Sequence, residues 1–399
     1  MIHKLRHYRR IVGKRTIDNI RNSASGLEGK HISHLNATFF GGGVAELLNS
    51  LVILMNDLGM DVEWNILKGS QSFFNITKKF HNALHGENGK LTSFRKKIYL
   101  EESEKNSIMI HFRADDLVVI HDPQPLAMIN YSKKKQPWIW RCHIDLSNPE
   151  KPIWNFLRPF VNKYDGVIFS MKKYKKRSIK PPQFIIPPSI DPLLPKNKNL
   201  SEKRCKRILS KGGIDIDKPV LSQISRFDKI KNPFGVIKIF EQVQKKADVM
   251  LILAGNMATD DPEGPVIYNK VMKKAEKNPG IKIVAGGTDL FINALQRQSS
   301  VILQNSKREG FALTVSEALW KKTPVVATRI GGIPLQVING KTGFLIDNNR
   351  EGAKRCLELL KNDKLRERIG ERGREHVRKN FLITRHLQDY INLYNYYLK

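Results

Sequence analysis

A chain of 399 residues that is 40% hydrophobic is long for a single core and predicts two soluble domains of about 190 residues each. Its 69 basic against 38 acidic residues give a net charge of +31, but the basic clusters at 4–15, 172–180 and 196–211 bring no zinc-ligand spacing, RNA-recognition signature or base-stacking aromatic run, which argues against a nucleic-acid partner. Three scattered cysteines make no metal or redox motif, and no apolar run reaches signal-peptide or membrane-spanning length, so the expectation is a cytoplasmic protein without stable membrane insertion.

Taken in chain order, a basic arm and a helical segment around residues 17–24 precede the first buried strand, His31–Asn36. Phe39-Phe40-Gly41-Gly42-Gly43-Val44 turns from it into a helix whose apolar face includes Leu47, Leu48, Leu51 and Leu54. A strand at 62–67 and helical material to about residue 104 follow. Short apolar runs at 117–120, 138–142 and 166–170 read as further strands, and the alternation with helical segments predicts parallel α/β units. The proline-dense stretch 184–192 cannot continue a helix or a central strand and marks a boundary, giving domains at 1–192 and 193–380 and a terminal helical segment at 381–399. Beyond it lie strands at 220–224, 301–304 and 324–328, with tight turns at 331–334 and 339–344.

Ligands of open parallel sheets bind outside the carboxyl ends of the strands, and the polar candidates fall there. Gly42 and Gly43 permit close backbone approach to a phosphate or sugar, although an ordinary strand-to-helix turn explains them equally well. Asp122, exposed after a strand and held before a proline, could grip sugar hydroxyls or merely cap its turn. His143 ends the tryptophan-rich strand, and a lone histidine is more often structural. Arg226 and Lys231 flank the loop after 220–224 and suit a diphosphate whose charge grows as a bond to it breaks, while Lys229 is the decoy. Glu309 and Glu317 stand eight residues apart, one in the loop before a helix and one about a turn inside it. The unpaired N–H groups of that helix start favour an anion, so two acceptors flank a phosphate cradle.

These pieces resemble retaining glycosyltransferases of the two-Rossmann-domain type, the large family that includes sucrose, glycogen and trehalose synthases. The glutamate pair with Glu309-Gly310-Phe311 belongs to the wider superfamily. More particular to the trehalose synthase branch are His34-Leu35-Asn36-Ala37-Thr38, Gly41-Gly42-Gly43-Val44-Ala45-Glu46, Phe80-His81-Asn82-Ala83-Leu84 and His121-Asp122-Pro123-Gln124-Pro125. So are Trp140-Arg141-Cys142-His143-Ile144-Asp145-Leu146-Ser147, Pro187-Pro188-Ser189-Ile190-Asp191-Pro192 and Asp260-Asp261-Pro262-Glu263-Gly264. The resemblance spans nearly the whole chain. It implies two Rossmann-like parallel-sheet domains facing across a cleft (GT-B), with the C-terminal helix crossing back to the first. It further implies glucose transfer from a nucleoside diphosphate glucose (ADP-, UDP- or GDP-glucose) to free glucose, giving trehalose without a metal or other cofactor. By motif, Arg226 and Lys231 would neutralise the diphosphate and Glu309 would hold the donor glucose. Backbone of Gly310, Phe311, Ala312, Leu313 and Thr314 would line sugar and phosphate, and Glu317 would bind the ribose. Gly42 and Gly43 would approach the donor, with Asp122 and His143 at the transferred sugar.

Two features depart from the family pattern: Lys231-Asn232-Pro233 stands where relatives commonly have Lys-Gly, and the net charge is high. Rival readings are a trehalose phosphorylase, a glycosyltransferase with a lipid acceptor, and a polyanion-binding protein on a relict fold. The retention of all four charges at Arg226, Lys231, Glu309 and Glu317 counts against the last. Donor base, direction and oligomeric state, a homodimer included, are open at this stage.

Overall fold

The computed structural model describes residues 3–39, 42–112, 114–255 and 264–398. Phe40, Gly41 and the Asp260-Asp261-Pro262-Glu263 stretch of the sequence reading lie outside the described residues. The chain forms two compact units, one of Met1–Ser189 with Ile383–Lys399 and the other of Ile190–Leu382.

In the first unit the strands are β1 (His31–Asn36), β2 (Asp61–Ile66), β3 (Leu117–His121), β4 (Trp138–Arg141), β5 (Gly166–Phe169) and β6 (Gln183–Ile185). They lie in the order β2-β1-β3-β4-β5-β6, every pairing parallel. β3 and β4 are buried along their whole length, the reason their sequences read as unbroken apolar runs and not as alternation. β6 takes Gln183–Ile185 out of the proline-rich stretch and sits at the sheet edge, where flanking prolines do not interrupt a ladder on both sides. The sheet grows from β1 first toward β2 and then toward β3, so the order of winding reverses between β1 and β3.

The helix Ile383–Leu398 returns to this first unit, as the resemblance implied. Its buried positions Ile383, Leu387, Tyr390, Ile391 and Tyr394 recur at helical spacing and pack against the helices Lys14–Ala24 and Gly42–Asp57. Asn395 donates to Ser23 O at 2.8 Å, and the Tyr397 hydroxyl to Asp165 O at 2.9 Å.

The second unit repeats the plan with β7 (Val220–Ile224), β8 (Met250–Gly255), β9 (Ile281–Ala285), β10 (Val301–Gln304), β11 (Val325–Thr328) and β12 (Phe344–Ile346). The order is β12-β11-β10-β7-β8-β9, again all parallel, and here winding reverses between β7 and β10. A core of Leu221, Val236, Phe240, Leu251, Leu303 and Val326 fills the space between this sheet and its helices. Ile190 and Leu382, where the unit begins and ends, are joined by an isolated parallel bridge.

Candidate active site

Reversal points in such sheets open a crevice at the strand ends, because the two crossovers leave on opposite faces. In the second unit that crevice belongs to the loops after β7 and β10, and the predicted charges occupy it. The loop after β7 is braced by buried polar groups: Asp228 Oδ1 accepts from Lys231 N at 2.7 Å, and Gln223 Nε2 donates to Lys231 O at 2.7 Å. Asn232 takes the left-handed conformation (φ 53°), its side chain accepts from Gly235 N at 3.2 Å, and Pro233 begins the helix Pro233–Gln244. Asn tolerates this backbone region better than other side chains, so Asn232-Pro233 fills a position that suits glycine and adds a helix cap.

Lys231 Nζ reaches across to Glu309 Oε1 at 2.6 Å, with Glu309 6% exposed. The same oxygen accepts from Gln304 Nε2 at 2.9 Å and Ser306 Oγ at 2.8 Å. Three donors converging on one carboxylate oxygen fix its rotamer. Below it, Gly331 packs so closely that a Cβ would lie 1.8 Å from Glu309 O, and Gly332 N donates to Gly310 O at 3.1 Å. Only glycine fits that approach, and glycine also takes the left-handed φ of 49° without strain.

From Glu309 the chain runs through Gly310 and buried Phe311 to Ala312, at φ 69° the left-handed residue preceding the helix Leu313–Trp320. Leu313 and Thr314 open that helix, whose first N–H groups have no side-chain cap. Glu317 is buried inside it, 3.9 Å from Lys196 Nζ and 3.4 Å from Gln296 Nε2. Arg226 is half-exposed, its Nη2 3.3 Å from Asp228 Oδ2, an ion-pair distance without hydrogen-bond alignment.

The first unit places a different chemistry at its own strand ends. Gly42 (φ 78°) and Gly43 are exposed at the start of the helix Gly42–Asp57, the next helix in the chain after β1. Asp122 corrects the sequence reading: its carboxyl is buried, not exposed, with Oδ1 accepting from His143 N at 2.8 Å. Its backbone is left-handed (φ 63°), its carbonyl accepts from Trp140 Nε1 at 2.9 Å, and burial pushes its pKa up to about 7 against the opposing pull of the His143 N–H and of Arg141. His143 is not a lone histidine. Its Nε2 lies 3.0 Å from His121 Nδ1, His121 Nε2 lies 3.0 Å from His34 Nδ1, and His34 Nε2 lies 2.9 Å from the Tyr394 hydroxyl. Burial holds all three imidazoles well below the usual histidine range, His34 to about 3, and Arg141 further disfavours charge on His121 and His143.

Arg226, Lys231, Glu309, the 310–314 backbone and Glu317 are thus gathered at one sheet end, and Asp122 with His143 at the other. Sequence reading missed Gln304, Ser306 and Asp228, and passed over His34 and His121. Gln304, Ser306, Asp228 and His121 sit at a strand end or within four residues past it, so the rule that found Glu309 and Asp122 would have reached them too. Among the described residues, no group of three or more His, Cys, Asp or Glu is arranged to hold a metal ion, and no helix is long and apolar enough to cross a membrane.

Comparison with known proteins bears on the family and the fold. Residues 34–176 match the family described as trehalose synthase, N-terminal domain, and residues 206–376 match glycosyl transferases group 1. The trehalose synthases of Thermococcus litoralis and Pyrococcus furiosus are each 44% identical to this chain over 398 residues, covering 98% of it and 97% of the relative. That of Rubrobacter xylanophilus is 42% identical over 98% of this chain and 96% of its own. A trehalose phosphorylase of Grifola frondosa is more distant, 28% identical over 94% of this chain and 59% of its own. Among solved structures, sucrose-phosphate synthase from Thermosynechococcus elongatus superposes with a TM-score of 0.73 at 15% identity (92% of this chain, 98% of that one), which shows a shared GT-B fold. Anabaena HepE in complex with UDP and glucose gives 0.70 at 16% identity, over 92% of this chain and 100% of that one. Two six-stranded parallel sheets with flanking helices, and 44% identity across the full length of known members, lead to one conclusion: the chain belongs to the trehalose synthase family of GT-B glycosyltransferases.

Proposed function

We propose that this glycosyltransferase moves glucose from a nucleoside diphosphate glucose to the anomeric hydroxyl of free glucose, with retention, forming α,α-trehalose. The observation that carries the reading is the full-length identity of 44% to proteins named trehalose synthase. The Lys231–Glu309 pair gives it chemical sense, since a cation and an oriented acceptor stand together where a charged leaving group and a polyhydroxylated sugar must be held. HepE with UDP-glucose supports a nucleotide sugar as the donor class and leaves this chain's base preference open.

In this reading Arg226 and Lys231 stabilise the departing diphosphate, and the start of the helix Leu313–Trp320 adds its N–H groups. Glu309 accepts hydrogen bonds from the donor glucose, the backbone of Gly310, Phe311, Ala312, Leu313 and Thr314 follows sugar and phosphate, and Glu317 holds the ribose. Gly42 and Gly43 serve the donor, and Asp122 and His143 the transferred sugar. The bond from C1 to the phosphate oxygen breaks as a bond from the acceptor oxygen to C1 forms on the same face. The acceptor proton passes to the leaving phosphate oxygen. No metal or other cofactor is required. The three cysteines are buried and unpaired, which fits a reducing compartment and a cytoplasmic enzyme.

The test is to mix the protein and free glucose with ADP-, UDP- or GDP-glucose and read nucleotide release and product linkage. An α,α-1,1 disaccharide with any donor is expected. Disaccharide formed from glucose 1-phosphate instead would indicate a phosphorylase. No product from glucose, together with sedimentation on anionic vesicles, would indicate a lipid acceptor. Lack of nucleotide release from all three donors sinks the reading.

A further inference from the structure

We propose that the second unit carries an anion site, separate from its crevice at β7 and β10, that takes the phosphate group of a small phosphorylated molecule or of free phosphate. The site does not depend on the glucosyl-transfer reading.

Glu309 and the 310–314 backbone follow the carboxyl end of β10, whereas Ser299 and Ser300 precede its first residue, Val301. The helix Leu313–Trp320 leads away from the candidate phosphate cradle for about 12 Å, its 8 residues ending at Lys321, the C-cap. There Arg297, Lys321 and Arg366 line a cavity of about 420 Å³ together with Ser299, Ser300 and Cys205. That volume falls within the range of small-molecule sites, roughly 300–1,000 Å³.

The charges around this cavity do not cancel. Among the described residues Glu202 is the one carboxylate that lines it, and Lys206 Nζ already holds Glu202 Oε1 at 2.7 Å on the open surface. Arg366 pairs with Asp363 at 2.7 Å. Arg297 has no carboxylate partner among the described residues. Its Nε donates to Asn293 Oδ1 at 2.9 Å and its Nη2 to Lys198 O at 3.0 Å, which uses two of the five N–H groups of a guanidinium. Burial, and then the neighbouring Arg374, disfavour its charge against a pull the other way from the Cys205 thiol. Arg374 stacks over the Trp320 ring, 4.7 Å from its centroid, and likewise has no carboxylate partner among the described residues. Lys321 is buried, and its Nζ donates to Asn197 Oδ1 at 2.9 Å and to Glu317 O at 3.1 Å. Arg297, Lys321, Arg366, Arg374 and Lys206 thus stand against Glu202 and Asp363 alone. Helix C-termini attract cations, which accounts for Arg297 in the last turn of Asp289–Gln298 and for Lys321. It does not account for Arg366, in the first turn of Asp363–Asn380, where the dipole opposes a cation, nor for Arg374 two turns further on. Half-buried guanidinium groups short of counter-charge are stabilised by an anion that accepts two N–H bonds from one fork, and phosphate has that geometry.

The experiment is isothermal titration calorimetry on the full chain at fixed ionic strength, with inorganic phosphate and glycerol 3-phosphate as probes. Expected is a saturable site whose affinity survives Lys231→Ala, a change confined to the crevice. Arg297→Gln should weaken it about tenfold or more, the worth of hydrogen bonds to a charged group. Because Arg297 also ties down Asn293 and Lys198, a second variant guards against a folding artefact. Arg374→Gln breaks no hydrogen bond among the described residues and should weaken binding about three- to fivefold. Tighter binding of glycerol 3-phosphate supports the site with a phosphate monoester as its ligand, and tighter binding of inorganic phosphate supports it with the free ion. Equal heats from chloride, or no saturation with either probe, overturn the proposal. Affinity lost in Lys231→Ala but kept in Arg297→Gln and Arg374→Gln places the phosphate in the crevice and also overturns it, as does an affinity unchanged in all three variants.

Discussion

The two sheets reverse their winding at equivalent places, between β1 and β3 in one unit and between β7 and β10 in the other, yet one crevice carries charged side chains and the other near-neutral ones. At β7/β10 a lysine and a glutamate face each other at 2.6 Å, with Arg226 half-exposed nearby. At β1/β3 the polar groups are imidazoles and a carboxyl that burial drives toward neutrality. One topology therefore supports two tasks. In the proposed reaction, fixed charge suits a phosphate group that gains negative charge, while neutral polar groups suit a sugar, whose hydroxyls are uncharged throughout.

The contrast is most exposed at the cations. Arg226→Ala and Lys231→Ala are each expected to lower kcat by about 10²-fold or more, the range for loss of one preorganised charge stabiliser, measured by nucleotide release at saturating substrate. Wild-type rates in either variant would remove that residue from the reaction and erase the distinction between the crevices.

Asp122 tests the neutral side through pH. Its folded pKa of about 7 lies above the ordinary value of 3.8, so the folded state holds a proton that the unfolded state releases between roughly pH 4 and pH 7. Its favourable contribution is therefore present at low pH and is lost as pH rises through that window, by roughly 2–4 kcal/mol in all. Asp122→Asn retains an acceptor for His143 N and cannot titrate. Urea unfolding at about pH 4.5 and about pH 7.5 should show the wild type losing stability relative to the variant as pH rises. A difference that does not change with pH means the carboxyl is charged in the fold.

A smaller effect is expected at Ser306, one of three donors on Glu309 Oε1. Ser306→Ala should lower kcat about tenfold and stability by about 1 kcal/mol, with Lys231 and Gln304 still holding the carboxylate. Smallest of all is Asn232→Gly. Glycine takes φ 53° at least as readily but loses the cap on Gly235, so the melting transition should move by no more than the equivalent of about 0.5 kcal/mol. A large loss would mean that the Lys231-Asn232-Pro233 turn does more than substitute for a glycine.

Legibility in the sequence followed how local each signal is. β1, β7 and β10 were readable because parallel strands buried on both faces are short, continuous apolar runs, and the proposed charges stood immediately past them. Glu309 and Lys231 could be nominated from such positions, but not their contact, which joins loops 78 residues apart. Asp122 was misjudged as exposed because a strand-end carboxylate before proline looks the same in sequence whether it faces water or caps its neighbour's N–H. His143 looked solitary because its partners lie 22 residues away at His121 and, through it, at His34 on another strand. β8 and β9 went unnamed beside richer motifs, although Met250–Gly255 is as apolar as its neighbours.

What the amino-acid order determined by itself was the succession of most buried strands and helices, the glycine-containing turns and the residue types that stand past each strand end, since these depend on side-chain chemistry and short-range backbone preference. What only the tertiary structure decided was adjacency: which strand ends meet at a reversal point, which carboxyl is sheltered from water, and which imidazoles stand in line. Those outcomes depend on the order of strands across a sheet and on the helix that returns from the far end of the chain. Burial and electrostatic strength both follow from such neighbours, so the chemistry of each crevice emerged only once the strands were set side by side.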